Sequence, residues 1–407
     1  MTPTKTTSDV TDSRDAGLAI PADDPPTSRR HDDRDIDRAD DLPVANEDRT
    51  VLVAGQWKLI WWKFRKHKLA MLGGIITLFI YFVAVFVEIL APFPPDQYNS
   101  TYPYAPPQSL HLGQVEGEFG LYVNGYAVSF DPETLARTFV IDEEVRHPVS
   151  LFAKGAPYRL WGLIPMERHL IAPDDPSHPM YLLGADRLGR DMLSRLIHGT
   201  RISMSIGLIG VAISLFLGVL LGGISGYYGG ATDNLIQRVI EFLNSIPKIP
   251  LWMGLAAAIP LSLPPLHVYF LITLILSLIG WTGLARVVRG RFFSLKTEDF
   301  VTAARLDGNS ELRIIMRHMV PSFTSHIIAS ISLAIPSMIL AETSLSFLGI
   351  GLRPPVVSWG VLLEEAQNVR SIAQAPWLFW PGAAVVVAVL AMNFLGDGLR
   401  DAADPYA

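Results

Sequence analysis

The stretch ISMSIGLIGVAISLFLGVLLGGIS, residues 202–225, decides the fold. It carries no charged side chain over a length that matches the thickness of a bilayer, which reads as a membrane-spanning helix. Gly207, Gly210, Gly218, Gly222 and Gly223 lie within it. Small residues let helix backbones approach closely in lipid, so this helix belongs in a packed bundle. Upstream, LAMLGGIITLFIYFVAVFVEILA, residues 69–91, is a second such run. It reaches about 35 Å as a helix, enough to cross the hydrocarbon with some tilt. Four more runs follow, near residues 246–263, 268–287, 327–348 and 376–395. Pro247 and Pro250 are expected to kink the start of the first of these. The expectation is therefore an all-α integral membrane protein with six transmembrane helices.

Charge sets the orientation. WKLIWWKFRKHK, residues 57–68, is a basic and aromatic flank of the kind found at a cytoplasmic interface. The first span then runs outward, and six spans return the C-terminus to the cytoplasm. The connection between spans four and five must also be cytoplasmic, and residues 286–319 carry seven Lys/Arg, as the positive-inside rule requires. The connection between spans one and two must be external, and residues 92–184 hold 11 acidic residues against five basic ones.

Half of the 407 residues are hydrophobic and 18% are charged, with a net charge of -6. The absence of cysteine excludes disulfides and thiolate metal sites. Nothing resembles a nucleic-acid surface. Residues 1–54 form an acidic cytoplasmic tail, and its first 50 residues hold 13 Asp/Glu and 7 Lys/Arg with few core-forming residues, so disorder is expected. Residues 55–91 form an amphipathic segment and the first span. Residues 92–184 form an external insertion, and residues 185–407 the remaining five spans. In the insertion, PFPPDQYNSTYPYAPPQ (92–108) reads as an extended linker. FGLYVNGYAVSF has strand-type residues around Asn124-Gly125, a hairpin-turn signal, and HPVSLFAKG reads as a further strand. A small β-rich cap is expected, either packed on the mouth of the bundle or receiving a delivery protein. His111, His147, His169 and His178 are scattered through it without metal-ligand spacing.

Between spans four and five lies EDFVTAARLDGNSELRIIMRHMVPS, residues 298–322. Phe300, Val301, Ala304 and Leu306 give a short helix an apolar face. Gly308 suits the positive φ of a helix C-terminus, and Ser310 suits the N-cap of a second helix over 310–319, with Glu311 near its positive end. Ala303 and Ala304 are small enough to admit another surface to backbone distance. Two readings follow from the pattern alone, a docking surface or an interfacial helix lying on the membrane.

TAARLDGNSELRIIMRHMVPS resembles the ATPase-coupling loop of binding-protein-dependent ABC importer permeases, whose pattern is Glu-Ala-Ala, three residues, Gly, nine residues, Ile-x-Leu-Pro. Thr302, Ala303 and Ala304 occupy the triplet, Gly308 the glycine, and His318, Val320 and Pro321 the end. Thr302, His318 and Val320 depart from the pattern, and a histidine at 318 is similar to the peptide-type branch. LLGADRLGRDMLSRLIHGTRISM (182–204), AETSLSFLGIGLRPPVVSWG (341–360) and NFLGDGLRDAADP (393–405) resemble further segments of the dipeptide/oligopeptide/nickel branch, in its second-permease (C-type) subunit. The acidic tail and the long insertion depart from a minimal permease.

The resemblance implies a bacterial inner-membrane subunit that pairs with a second homologous permease subunit, two cytoplasmic ATP-binding subunits and an external solute-binding protein. The loop 289–322 would dock on the ATP-binding subunits. The chain has no GxxxxGK[ST] motif, so ATP hydrolysis falls to those partners and no cofactor is expected in the chain itself. Peptides are the expected cargo, with oligosaccharides or nickel as alternatives. A secondary, ion-coupled transporter is the alternative of a different class, but an inverted repeat and a midplane ion site are not evident. Glu342, late in span five, is a candidate pathway residue or a helix–helix hydrogen-bonding group. Asp186, Arg190 and Asp191 at the external mouth are candidates for a gate or for fixing a turn. Glu88 is expected to snorkel outward, and Arg238 and Glu241 to pair along a helix.

Overall fold

The structure is a computed structural model, and it describes residues 56–115, 117–130, 137–260 and 262–403. The acidic tail lies outside the described residues.

The chain is mostly helical. Helix α1 (Gln56–Lys66) carries the basic, aromatic flank, and Lys58 lies over the Trp62 ring. Helix α2 (Lys68–Val85) is the first span; it breaks at Phe86 and resumes as α3 (Val87–Leu90). Helix α4 (Met192–Tyr228) contains residues 202–225. Helices α5 (Gly230–Ser245) and α6 (Lys248–Ala257) precede α7 (Pro265–Leu295). After the loop helices described below come α11 (Thr324–Phe347), α12 (Trp359–Glu364), α13 (Val369–Gln374) and α14 (Trp380–Ala403).

Among the described residues, five helices are long and apolar enough to cross a membrane: α2, α4, α7, α11 and the run Pro376–Ala403 that ends in α14. The expected third span is different. Pro247 disfavours the helical conformation at the residue before it, and Ile246 is extended (φ −94°, ψ 130°), so α5 stops at Ser245. Helix α6 has 10 residues, about 15 Å of rise, half of a bilayer core. Packing shows where these two pieces run. Ile240 of α5 packs with Trp281 and Ala285, whereas Ala256 of α6 packs with Tyr269 and Ile272. As α5–α6 advances, its partner on α7 retreats, so the pair runs antiparallel along most of α7.

Glycines permit the tightest seams. Gly218, Gly222 and Gly226 repeat every four residues on one face of α4, against α7. A Cβ at Gly222 would stand 2.4 Å from the Ala285 carbonyl oxygen, and one at Gly226 2.7 Å from that of Arg289. At the C-terminal end of α4, beside this seam, Arg289 grips Asp233 of α5 with two bonds of 2.5 and 2.6 Å, and Ser225 donates to the same carboxylate. On α2, Gly73 meets the Ala391 carbonyl of α14 in the same manner.

The insertion holds a four-stranded antiparallel sheet in the order β1 (Leu110–Val115), β2 (Glu118–Phe130), β3 (Arg137–Leu151), β6 (Ile171–Pro173). A separate hairpin pairs β4 (Lys154–Leu160) with β5 (Ile164–Arg168). Asn124-Gly125 is not a turn. It lies in mid-strand, where the register jumps from Asn124↔Arg146 to Gly125↔Asp142 across a bulge in β3. A Cβ at Gly125 would lie 2.7 Å from the Val145 side chain, so the glycine serves a close approach across the sheet. The turn between β1 and β2 instead uses Gly117 at φ +91°. The segment 92–108 forms neither helix nor strand, yet Phe93, Ala105 and Gln108 are buried. Gln108 ties the segment down, donating to the Asn124 carbonyl and accepting from the Tyr181 amide, each at 2.6 Å.

Candidate functional site: the loop between α7 and α11

Helix α8 (Asp299–Leu306) opens the loop, with Asp299 in its first turn and Arg305 in its last. Both charges favour their ends of the helix dipole. Val301 and Ala304, three residues apart, face inward. They are buried with Val288 and Phe292 of α7, and with Ile314, Met319 and Phe323. Gly308 takes φ +74° and ends the helix. Asn309 completes the cap. Its side-chain amide donates to the Ala304 carbonyl at 3.0 Å, and its backbone N–H donates there at 3.3 Å. Helix α9 (Glu311–Ile314) follows with Ser310 at its N-cap position, although the Ser310 side chain makes no capping bond. A π-helical turn (Ile315–Met319) and the short α10 (Val320–Ser322) lead into α11. Glu311 accepts from the Tyr228 hydroxyl at 2.9 Å, which ties the loop to the end of α4.

The expected docking residues divide between two faces. Ala304 is buried inside the chain, because it lies three residues from Val301 on the inward face. Thr302, Ala303, Gly308 and Pro321 are exposed, and His318 is half-buried. The exposed face also holds Leu306 (83% exposed), Leu312 (71%) and Met316 (59%), with Arg305, Arg313 and Arg317 around them. Exposed large apolar residues beside cations are of the kind found at interaction surfaces. Sequence reasoning missed Asn309 and Tyr228. The first was signalled by the Gly-Asn dipeptide, and the second by nothing local.

At the opposite end of the bundle, Asp186 is fully buried. It accepts from the Leu188 and Arg190 amides at 2.8 and 3.0 Å, from Arg190 Nε at 2.6 Å, and from Arg195. Asp191 caps α4, accepting from the Ser194 amide at 2.7 Å, and burial pushes its carboxyl up to about 6. All three candidate gate residues thus have structural roles: Asp186 and Arg190 hold a turn, and Asp191 a helix start. Arg190 also borders a polar cavity of about 480 Å³ shared with Arg187, Arg195 and Glu365. Glu342 is fully buried, and accepts from Ser346 (2.8 Å), Ser358 (2.7 Å) and Ser203 (3.4 Å). Glu88 does not reach outward. Its carboxylate pairs with Arg201 of α4, which also donates to the Ala84 and Val85 carbonyls at the break in α2. Arg238 and Glu241 pair at 2.8 Å. His147 and His178 stack with ring centroids 4.1 Å apart, while no group of three His, Asp or Glu able to hold a metal occurs among the described residues.

Comparison with known proteins bears on this geometry. A family profile described as "binding-protein-dependent transport system inner membrane component" matches residues 218–406, and one described as "N-terminal TM domain of oligopeptide transport permease C" matches residues 55–107. The sheet falls between the two. The oligopeptide transport system permease protein OppC of Haemophilus influenzae is 39% identical over 226 residues, 55% of this chain and 70% of that protein. OppC of Bacillus subtilis is 34% identical over 238 residues, 58% of this chain and 75% of that protein. The glutathione transport system permease protein GsiD of Pectobacterium atrosepticum is 37% identical over 223 residues, 55% and 72% of the two chains. Among solved structures, the inward-facing MetNI methionine ABC transporter matches with 14% identity and a TM-score of 0.40, over 52% of this chain and 98% of that one.

Proposed function

Since the chain belongs to the family of binding-protein-dependent transport system inner membrane components, and is thus a multi-pass permease subunit of an ATP-binding-cassette importer, we propose that it forms half of a pathway for peptides. The relatives at 34–39% identity are named as oligopeptide, dipeptide and glutathione permeases, which favours peptides over oligosaccharides or nickel. The second half of the pathway is a homologous permease. Cargo arrives from an external binding protein, and ATP is hydrolysed by two cytoplasmic subunits.

On this reading the chain crosses the membrane six times, with both termini cytoplasmic and the sheet of β1, β2, β3 and β6 outside. Helices α5 and α6 together make the third crossing, as their antiparallel course along α7 supports. The basic flank of α1 and the arginines of the loop lie on the same side, as the positive-inside rule requires.

The observation that carries the proposal is the exposed face of Thr302, Ala303, Leu306, Leu312 and Met316, backed by an inward face locked onto α7 and α11. A loop lying on lipid would need nothing beneath it to move, so the locked inward face is what favours docking. A loop wedged on two spans transmits displacement, which is what a chain without an ATPase motif requires. Closure of the ATP-binding subunits would shift the loop and switch the bundle between two packed arrangements.

Affinity-tagged chain, purified from its own membranes, is expected to bring a second permease and two ATP-binding subunits. Leu306→Asp should retain the second permease and lose the ATP-binding subunits. Undiminished recovery of those subunits with Leu306→Asp, or activity of the chain alone as an ATP-independent carrier, would count against the proposal.

A further inference from the structure

The β4–β5 hairpin carries an apolar tip that the transport reading does not use. Trp161, Gly162, Leu163 and Ile164 form it, with Trp161 50%, Leu163 77% and Ile164 49% exposed. Apart from Arg159, the charged residues of the hairpin stand at the other end, where Lys154 and Glu167 pair at 3.0 Å beside Arg168. The hairpin is also anchored in depth. The His169 ring lies 2.6 Å from the Ala91 carbonyl, the Leu170 amide donates to Ile89, and Trp161 Nε1 donates to the Val85 carbonyl at 2.9 Å. The tip therefore sits six residues down the first span from Ala91, about 9 Å at helical rise. Counted from Leu69, Val85 is about 24 Å along a helix that must cross a core of about 30 Å.

We propose that the β4–β5 hairpin inserts its Trp161–Ile164 tip into the outer leaflet beside α2, as a second membrane anchor for the insertion. The proposal rests on the reading that α2 spans the membrane and the insertion lies outside. Three further observations fit a lipid partner. The tip continues a lipid-facing surface, because Phe79, Phe82 and Val85 of α2 are exposed beside it, and the Phe82, Phe86 and Trp161 rings follow one another at 4.9 and 5.9 Å. Lipid offers no hydrogen bonds, and the tip needs few. Gly162 and Leu163 donate within the turn, to Arg159 and Leu160, and the indole N–H is satisfied by α2. Finally, Trp161 and Gly162 take φ +54° and +74°, the signature of a type I′ turn, whose first position ordinarily holds Asn, Asp or Gly. A tryptophan in this disfavoured conformation is held there by its surroundings. Tryptophan at the level of the headgroups is a common anchor, and the exposed Arg159 next to the tip has a side chain long enough to reach the headgroups.

The chain has no cysteine, so single labels are available without further change. In the assembled importer in sealed, right-side-out vesicles, Leu163→Cys, Glu167→Cys and Leu112→Cys would each carry an environment-sensitive fluorophore. Leu112 is 65% exposed in β1 and controls for apolarity without depth. Leu163→Cys is expected to lose emission to doxyl-labelled phosphatidylcholine and to resist external iodide, while the other two respond to iodide only. Iodide quenching at Leu163 equal to that at Glu167 would overturn the proposal. Protection at Leu163 from both quenchers would overturn it in favour of a protein partner. Iodide reaching Glu167 only in opened vesicles would overturn the external placement, and with it the outer leaflet.

Discussion

Glu342 gives the sharpest test of how α4, α11 and α12 are held together. Its carboxylate is fully buried between α4, α11 and α12. Each of its three serine partners already accepts a backbone N–H: Leu352 to Ser346 at 3.0 Å, Val361 to Ser358 at 3.2 Å, and Trp359 to Ser203 at 3.1 Å. A backbone N–H can only donate, so each hydroxyl is left with its hydrogen for Glu342. Three donors thus converge on one acceptor. Glu342→Ala strands the two hydroxyls with short bonds, Ser346 and Ser358, at about 1–3 kcal/mol each, or about 2–6 kcal/mol together. Glu342→Gln keeps the volume but turns one acceptor into a donor that faces a donor, and should cost about 1–3 kcal/mol. Thermal unfolding of the purified importer in lipid discs should rank wild type above Gln and Gln above Ala. Peptide uptake should fall in step with stability and keep its selectivity. Equal midpoints for wild type and Gln would refute the donor assignment. A stable Ala variant with altered cargo selectivity would refute the structural role and make Glu342 a pathway residue.

Gly73 and Gly74 are neighbours in α2 and test the α2–α14 seam. Alanine at Gly74 meets only ordinary contacts at 3.6 Å, whereas at Gly73 it stands 2.4 Å from a backbone oxygen, so Gly73→Ala should unfold at lower temperature by about 1–3 kcal/mol relative to Gly74→Ala. Gly308 has open space around it but φ +74°, so Gly308→Val strains the backbone alone. It should reduce ATP-dependent uptake while membrane insertion is unchanged, and undiminished uptake would argue against the coupling role. Burial, and then His178, hold the His147 ring below its ordinary 6.5, with Asp175 opposing. Its neutral form is favoured in the fold, so its contribution to stability is complete above 6.5 and is lost as pH falls through the lower folded value. Hydrogen-exchange protection in the insertion, taken relative to the intrinsic rate at each pH, should therefore fall below 6.5, and His147→Phe should flatten that dependence.

The spans were legible because a bilayer imposes length and apolarity on continuous stretches, and α4, α7 and α11 enclose the runs read from sequence. The third run was not, because Pro247 divides it and amphipathic α5 must be counted with it. The loop was legible through one local signal, Gly308, and through helical spacing; the same spacing, applied with more care, separates Ala304 from Ala303. Asn124-Gly125 misled because the dipeptide is a local cue, while the demand for glycine there comes from Val145, 20 residues away. Glu342 was visible as an intramembrane acid, but Ser203 and Ser358 were not, since they come from other segments.

The contacts also indicate how displacement of the loop reaches the opposite end of the bundle. Val301, Ala304, Ile314 and Met319 wedge the loop onto Val288 and Phe292 of α7 and onto Phe323 before α11, so a push cannot be absorbed within it. Helix α7 is held to α4 by the Gly218–Gly222–Gly226 face, and Arg289 of α7 grips Asp233 of α5, which also accepts from Ser225 of α4. Helix α11 is held to α4 through Glu342 and Ser203 and through Ile339 and Met338 against Gly207 and Gly210. Helix α7 follows α4 from Arg289 beside Gly226 to Tyr269 on Ser205, so a force on α7 and α11 converges on one helix, α4. Helix α4 is capped by Asp191, beside the buried Asp186, so a displacement of α4 is also a movement of the turn that Asp186 organises. Weakening Arg289–Asp233 with Asp233→Asn should then lower peptide-stimulated ATPase activity more than the basal rate, since it loosens the hold of α7 on α5 and α4 without changing the loop residues. Equal loss of both rates would mean that the pair supports only the fold.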